Sequence, residues 1–123
     1  MNNNNFGIFN GRLVKDPVYF ENSDGSSIVL LTVACQQNFA SGKAHEYQSD
    51  FIEFRGFIPK RRKGNGIYDY VSTGDKISIS YSLRSSASEK NGKKTFYQSP
   101  FIESVQLLES KTVREERRAR KNA

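Results

Sequence analysis

Phe51, Arg55 and Phe57 stand on one parity of the run Asp50-Phe51-Ile52-Glu53-Phe54-Arg55-Gly56-Phe57-Ile58. Side chains along a strand point to opposite sides in turn, so these three share a face with Glu53. Ile52, Phe54 and Ile58 share the other, which is a core face. Two aromatic rings beside a guanidinium, on a face open to water, are suited to stacking bases along a charged strand. A strand buried on both sides of a sandwich also accommodates this run. The run alone does not separate the two.

Catalytic chemistry has less to work with. His45 is the single histidine and Cys35 the single cysteine, which leaves no His/Cys zinc cluster. Gly92-Lys93-Lys94-Thr95 ends like a phosphate-binding loop but lacks its first glycine, and it falls in a hairpin. Asp50 and Glu53 are three apart on a strand and face opposite ways, so they do not pair on a metal. The chain is expected to be a binding protein without a cofactor, not an enzyme.

The elements that position these residues must fit one domain, since 123 residues make one modest core. Hydrophobic residues make up 36% of the chain and the mean hydropathy is −0.68. The longest apolar run, Ile28 to Cys35, is strand length and far short of a bilayer span. A lone cysteine fits a reducing, cytoplasmic setting. Of the formal net charge of +6, residues 1–110 carry +2 (13 basic, 11 acidic) and residues 111–123 carry +4 (six basic, two acidic). The local clusters are Lys60-Arg61-Arg62-Lys63 and the trio Lys90, Lys93, Lys94, a pattern compatible with a polyanion partner.

Along the chain, Phe6 to Val14 reads as a strand ended by Lys15-Asp16-Pro17. Val18-Tyr19-Phe20 is a short apolar piece before a reversal at Glu21-Asn22-Ser23-Asp24-Gly25. Ile28 to Phe39 is a long strand with Val29, Leu31, Val33 and Cys35 on one side, and Ala40-Ser41-Gly42-Lys43 is a loop tip. Tyr47 to Ile58 follows. A short helix or turn is expected within 67–73, closed by Gly74. Lys76 to Arg84 alternates Ile77, Ile79, Tyr81 and Leu83 against serines, which puts Tyr81 with the core. Glu89-Lys90-Asn91-Gly92 is a hairpin tip, and Thr95 to Leu108 forms one or two strands interrupted near Pro100. After Glu109 no apolar stripe exists, which predicts a mobile basic tail over 111–123. Residues 1–5 read as a frayed lead-in. Five main strands with a short helical element between the third and fourth describe an all-β chain, an OB-fold: a five-stranded Greek-key barrel over residues 6–110.

Seven motifs in register resemble the bacterial-type single-stranded DNA-binding proteins. They are Asn10-Gly11-Arg12-Leu13-Val14-Lys15-Asp16-Pro17, Leu31-Thr32-Val33-Ala34, Asp50-Phe51-Ile52, Tyr70-Val71, Gly74-Asp75, Leu83-Arg84-Ser85 and Ser104-Val105-Gln106-Leu107-Leu108-Glu109-Ser110. The resemblance implies that single-stranded DNA wraps the barrel over aromatic platforms and paired cations. Position by position, it assigns Phe39, Phe51 and Phe57 to aromatic places, with Arg55 between the last two. Arg12, Lys15, Lys43, Arg84, Lys93 and Lys94 are candidate phosphate contacts, and Phe96 and Tyr97 are candidate additions to the platform. Binding without sequence preference is expected, and RNA offers the same stacking chemistry. A homo-oligomer is implied, with no membrane and no small-molecule substrate.

The chain also departs from the family. Its last residues, Arg114 to Ala123, form no acidic tip with a terminal Phe, so tip-dependent repair partners are not expected. Tryptophan is absent, and Lys60-Arg61-Arg62-Lys63-Gly64-Asn65-Gly66 stands where the family has a longer helix. A phage or conjugative-plasmid origin fits these departures. The rival reading is an OB-fold adaptor whose exposed Phe51 and Phe57 bind a protein partner.

Overall fold

The computed structural model describes residues 4–41, 46–60 and 64–122. Six strand segments occur: β1 (Gly7–Leu13), β2 (Val18–Glu21), β3 (Ser27–Ser41), β4 (Glu46–Ile58), β5 (Lys76–Lys90) and β6 (Lys93–Leu107). The sheet order is β1-β5-β6-β4-β3-β2, and a further antiparallel pairing of β1 with β3 (Arg12 with Ala34, Leu13 with Val33) closes the ring. Five strands thus form a closed barrel, and β2 extends it as a short addition to β3. The one parallel contact, Arg55 of β4 with Phe101 of β6, completes the OB-fold expected from the strand count.

Inward alternation builds the core. Val29, Leu31 and Val33 of β3, Phe54 and Ile58 of β4, Ile77 and Ile79 of β5, Leu13 and Ile102 are all buried. The Phe54 ring sits between Phe9 (centroids 5.3 Å) and Tyr81 (5.4 Å), so Tyr81 is a core residue as its alternation implied. Closure demands a close crossing. A Cβ on Gly11 would lie 2.2 Å from the Ala34 carbonyl oxygen, so β1 can approach β3 there only as glycine. A 3-10 turn over Gly66–Asp69 buries Tyr68, with Val71 just beyond it, and plugs one end of the barrel. Gly74, at φ +89°, ends that connection in a backbone region closed to most side chains.

Three expectations need correction. Pro100 does not interrupt the last strand: β6 runs through it, pairing it with Leu83. Beyond Phe101, β6 has β5 as its single neighbour, so a residue lacking an N–H fits on the open side. The alternation of β5 breaks at a register shift between Ser80 and Tyr81, which buries Ser82 and turns Leu83 out to solvent. Most importantly, the segment after Glu109, expected as a tail without a packed helix, is helical. It is α1 (Lys111–Asn122), N-capped by the Ser110 hydroxyl, which accepts the Val113 N–H at 3.2 Å. Arg114, Arg117 and Arg118 fall on one side of α1 and reach Asp75, a fully buried carboxylate. In the expected lead-in, the Asn5 side-chain amide pairs with both the N–H and the carbonyl of Leu83, each at 2.8 Å. Residues 1–3 of the expected lead-in lie outside the described residues, as does the expected loop tip from residue 42 on.

Among the described residues, no helix is long and apolar enough to cross a membrane. None of them forms a group of three or more His, Cys, Asp or Glu side chains able to hold a metal ion.

Candidate nucleic-acid interface

The outer face of β4 carries Phe51, Glu53, Arg55 and Phe57, all exposed, while Phe54, Gly56 and Ile58 between and beyond them are buried. The two-faced reading of this strand therefore holds, and a sandwich buried on both sides does not. Phe51 is 63% exposed and Phe57 49%. Six residues apart, they stand about 20 Å from each other at a strand's ~3.3 Å rise. Arg55 lies between them, and among the described residues no ion pair engages it. Glu53 is its neighbour on the face, yet the two do not form a salt bridge; Glu53 pairs in the ladder with Thr32.

Sheet register adds residues that strand-by-strand reading did not reach. Phe57 pairs with Ile28, and Ile28 in turn with Phe20 of β2, so these three form a row across three strands. Phe20 is 55% exposed. Arg55 pairs with Leu30 on one side and Phe101 on the other. The Arg84 guanidinium stacks over the Phe101 ring at 4.6 Å. Arg55, Arg84, Phe101 and serines 85, 86 and 99 line a groove of roughly 320 Å³. Two guanidiniums around one aromatic ring, with hydroxyls on the walls, can hold a phosphate beside a stacked base. No sequence spacing links Arg55 to Phe101. The one readable signal was the parity of Tyr97, Ser99 and Phe101 within the last strand.

β5 and β6 continue past the barrel as a two-stranded arm. Its tip is a two-residue turn with Asn91 (φ 53°) and Gly92 (φ 78°) in left-handed backbone, the geometry that Asn-Gly favours in a hairpin. Lys90 pairs with Lys93 and Glu89 with Lys94 at this tip. The Lys94 ammonium lies 5.7 Å from the Phe96 ring, and Phe96 and Tyr97 are both more than half exposed. Lys93 and Lys94 therefore belong to the arm, about 25 Å of strand from Phe101. They are not brought together with Phe51 and Phe57.

The remaining candidates divide. Arg12 shares the barrel exterior with Phe51, across Ala34. Its guanidinium is already engaged, donating to the Gly74 carbonyl (3.1 Å) and to Glu109 (3.2 Å). That exposed salt bridge occupies part of the guanidinium expected to meet phosphate. Lys15 is exposed on the link between β1 and β2. Phe39 lies in β3, but its side chain is outside the described residues, and Lys43 is outside them entirely.

Comparison with known proteins agrees with this architecture. The model of the single-strand binding protein family matches residues 4–108. Single-stranded DNA-binding protein 1 of Staphylococcus aureus (strain COL) is 31% identical over 106 residues, covering 85% of this chain and 61% of the relative. Single-stranded DNA-binding protein 2 of Streptococcus agalactiae serotype V is 31% identical over 107 residues, covering 87% of this chain and 79% of the relative. The chain thus spans about three-fifths of the staphylococcal protein's length. Among solved structures, a deletion mutant of the single-stranded DNA binding protein from Thermus aquaticus superposes with a TM-score of 0.65 at 20% identity. That match covers 87% of this chain and 51% of the Thermus protein, a likeness of fold.

Proposed function

The chain belongs to the single-strand binding protein family, and on that premise we propose that it binds and coats single-stranded DNA without sequence preference. The observation that carries this reading is the outer row of β4: Phe51 and Phe57 open to solvent, Arg55 between them with no ion pair among the described residues, and Phe101 with Arg84 beside it. Every base has a π-face, so aromatic platforms accept any sequence. Guanidiniums and arm lysines neutralise the backbone between the bases. Phe39, Lys15 and Lys43 join this contact set on the strength of the resemblance. Coating of this kind protects exposed strands during replication, recombination or transfer of a mobile element. It is work for a cytoplasmic homo-oligomer.

Fluorescence anisotropy of labelled oligo-dT against a duplex of equal length, over a salt series, tests the proposal. Single strands should bind more tightly, with log K falling against log salt by ~0.7 for each phosphate neutralised. Equal binding to duplex would reduce the interface to generic charge. Absence of binding to either would favour the adaptor reading, in which the same aromatics meet a protein.

A further inference from the structure

The way α1 is held suggests that it is built to let go. Its three inward arginines converge on one carboxylate: Arg117 donates to Asp75 at 2.5 Å, Arg118 at 3.1 Å, and Arg114 stands 3.7 Å away. Arg117 also bonds Glu109, which in turn accepts from Arg12. Arg118 reaches the Ser72 hydroxyl, and Arg114 the Tyr70 carbonyl at 3.0 Å. Almost no apolar burial accompanies this. Val113, the one large aliphatic residue of α1, is 44% exposed, and α1 makes no extensive backbone approach to any strand. An open groove of roughly 270 Å³ remains between α1 and the apolar floor of Ile67, Tyr70 and Leu107.

Ionic docking of this sort is close to balanced. The desolvation of buried charges offsets much of their attraction, so undocking with all partners rehydrated costs little. The cluster is also unbalanced in sign, with guanidiniums of Arg12, Arg114, Arg117 and Arg118 facing the carboxylates of Asp75 and Glu109. A phosphodiester backbone offers α1 more anions than that notch does. Once free, a helix of 12 residues is too short to persist in water.

We infer that α1 is an electrostatic latch, docked on Asp75 and Glu109 in the free protein and released to a polyanionic backbone. Docking commits Arg114, Arg117 and Arg118 to these acids, and release adds them to the surface that meets phosphate. The inference rests on the proposed function only in naming single-stranded DNA as the opener.

Hydrogen–deuterium exchange of the full chain reads the latch directly. In the free protein the amides of 111–122 should be protected. Asp75→Asn should speed their exchange at least tenfold while β3 amides stay unchanged. Arg117→Ser/Arg118→Ser serves as the second variant should Asp75→Asn fail to fold, and it should do the same. Oligo-dT longer than the ~4–16 nucleotides one OB-fold covers, and separately heparin, a polyanion without bases, should each release 111–122 in the wild type. Protection that survives both polyanions, or survives loss of the Asp75 charge, overturns the latch. Release by heparin but not by oligo-dT leaves the latch standing and counts against single-stranded DNA as the ligand.

Discussion

The sharpest test of the stacking face is the pair Phe51→Ala and Phe57→Ala, because structure separates their effect on binding from their effect on folding. Phe51 is 63% exposed and Phe57 49%. Full burial of a Phe side chain stabilises by ~1.5–3 kcal/mol, so each substitution should cost roughly 1.5 kcal/mol of folding free energy or less. Each stacked base is worth ~1–3 kcal/mol, which gives about 2–6 kcal/mol for the two rings together. At 1.4 kcal/mol per tenfold, that is a weakening of roughly 30-fold to 10⁴-fold in Kd for oligo-dT. The rings stand about 20 Å apart on a rigid strand, so their effects should add to within ~0.5 kcal/mol. Anisotropy titrations of both single variants and the double variant, with thermal melts alongside, supply all the quantities. Unchanged affinity in a double variant that melts as a folded protein would refute the stacking argument. A double loss well short of the sum would mean that the two rings do not serve separate bases.

Two further outcomes follow from the charges. Arg55→Ala should lower the slope of log K against log salt by ~0.7 while leaving stability near wild type, since Arg55 is exposed and unpaired among the described residues; salt-series titration and thermal melts check both. Glu109 sets an acid limit on α1: burial pushes its carboxyl up, but the Lys76 N–H, the hydrogen bond and charge of Arg117 and the charge of Arg12 outweigh this and hold it below its ordinary 4.5. A carboxylate lowered in the folded state contributes stability above its unfolded value and loses it as pH falls through the folded one. Helical circular dichroism from α1 should therefore fade on acidification below about 4.5, and Glu109→Gln should weaken that dependence.

Much of the barrel was legible because its rules are local. Alternation in the strands placed Val29, Leu31, Val33, Phe54, Ile77 and Ile79 inside, and Asn91-Gly92 marked a turn that this pair favours. The same parity exposed Phe51, Arg55 and Phe57 together. What stayed hidden depends on register. Phe101 reaches Arg55 through the single parallel contact, and Phe20 reaches Phe57 through two ladders and Ile28. Neither link leaves a trace in spacing along the chain. A bulge, too, is invisible to alternation, which is why Leu83 was placed with the core and stands outside it.

The miss over α1 has a different cause and bears on which cations can matter for binding. Apolar periodicity finds helices that dock by burying hydrocarbon, and α1 docks by charge. The spacing of Arg114, Arg117 and Arg118 does define one helical face, but its partner is a carboxylate whose burial only the fold reveals. Counting basic residues made the last thirteen the most cationic part of the chain, at +4. In the folded protein three of those arginines face Asp75, and Glu109 engages Arg12 as well as Arg117. A cation already paired with a carboxylate gains less from a phosphate than a free one, because the exchange must first break the existing contact. The docked chain therefore presents a polyanion with Arg55, Arg84 and the arm lysines first. Arg114, Arg117 and Arg118 count only once the acids that hold them are left behind.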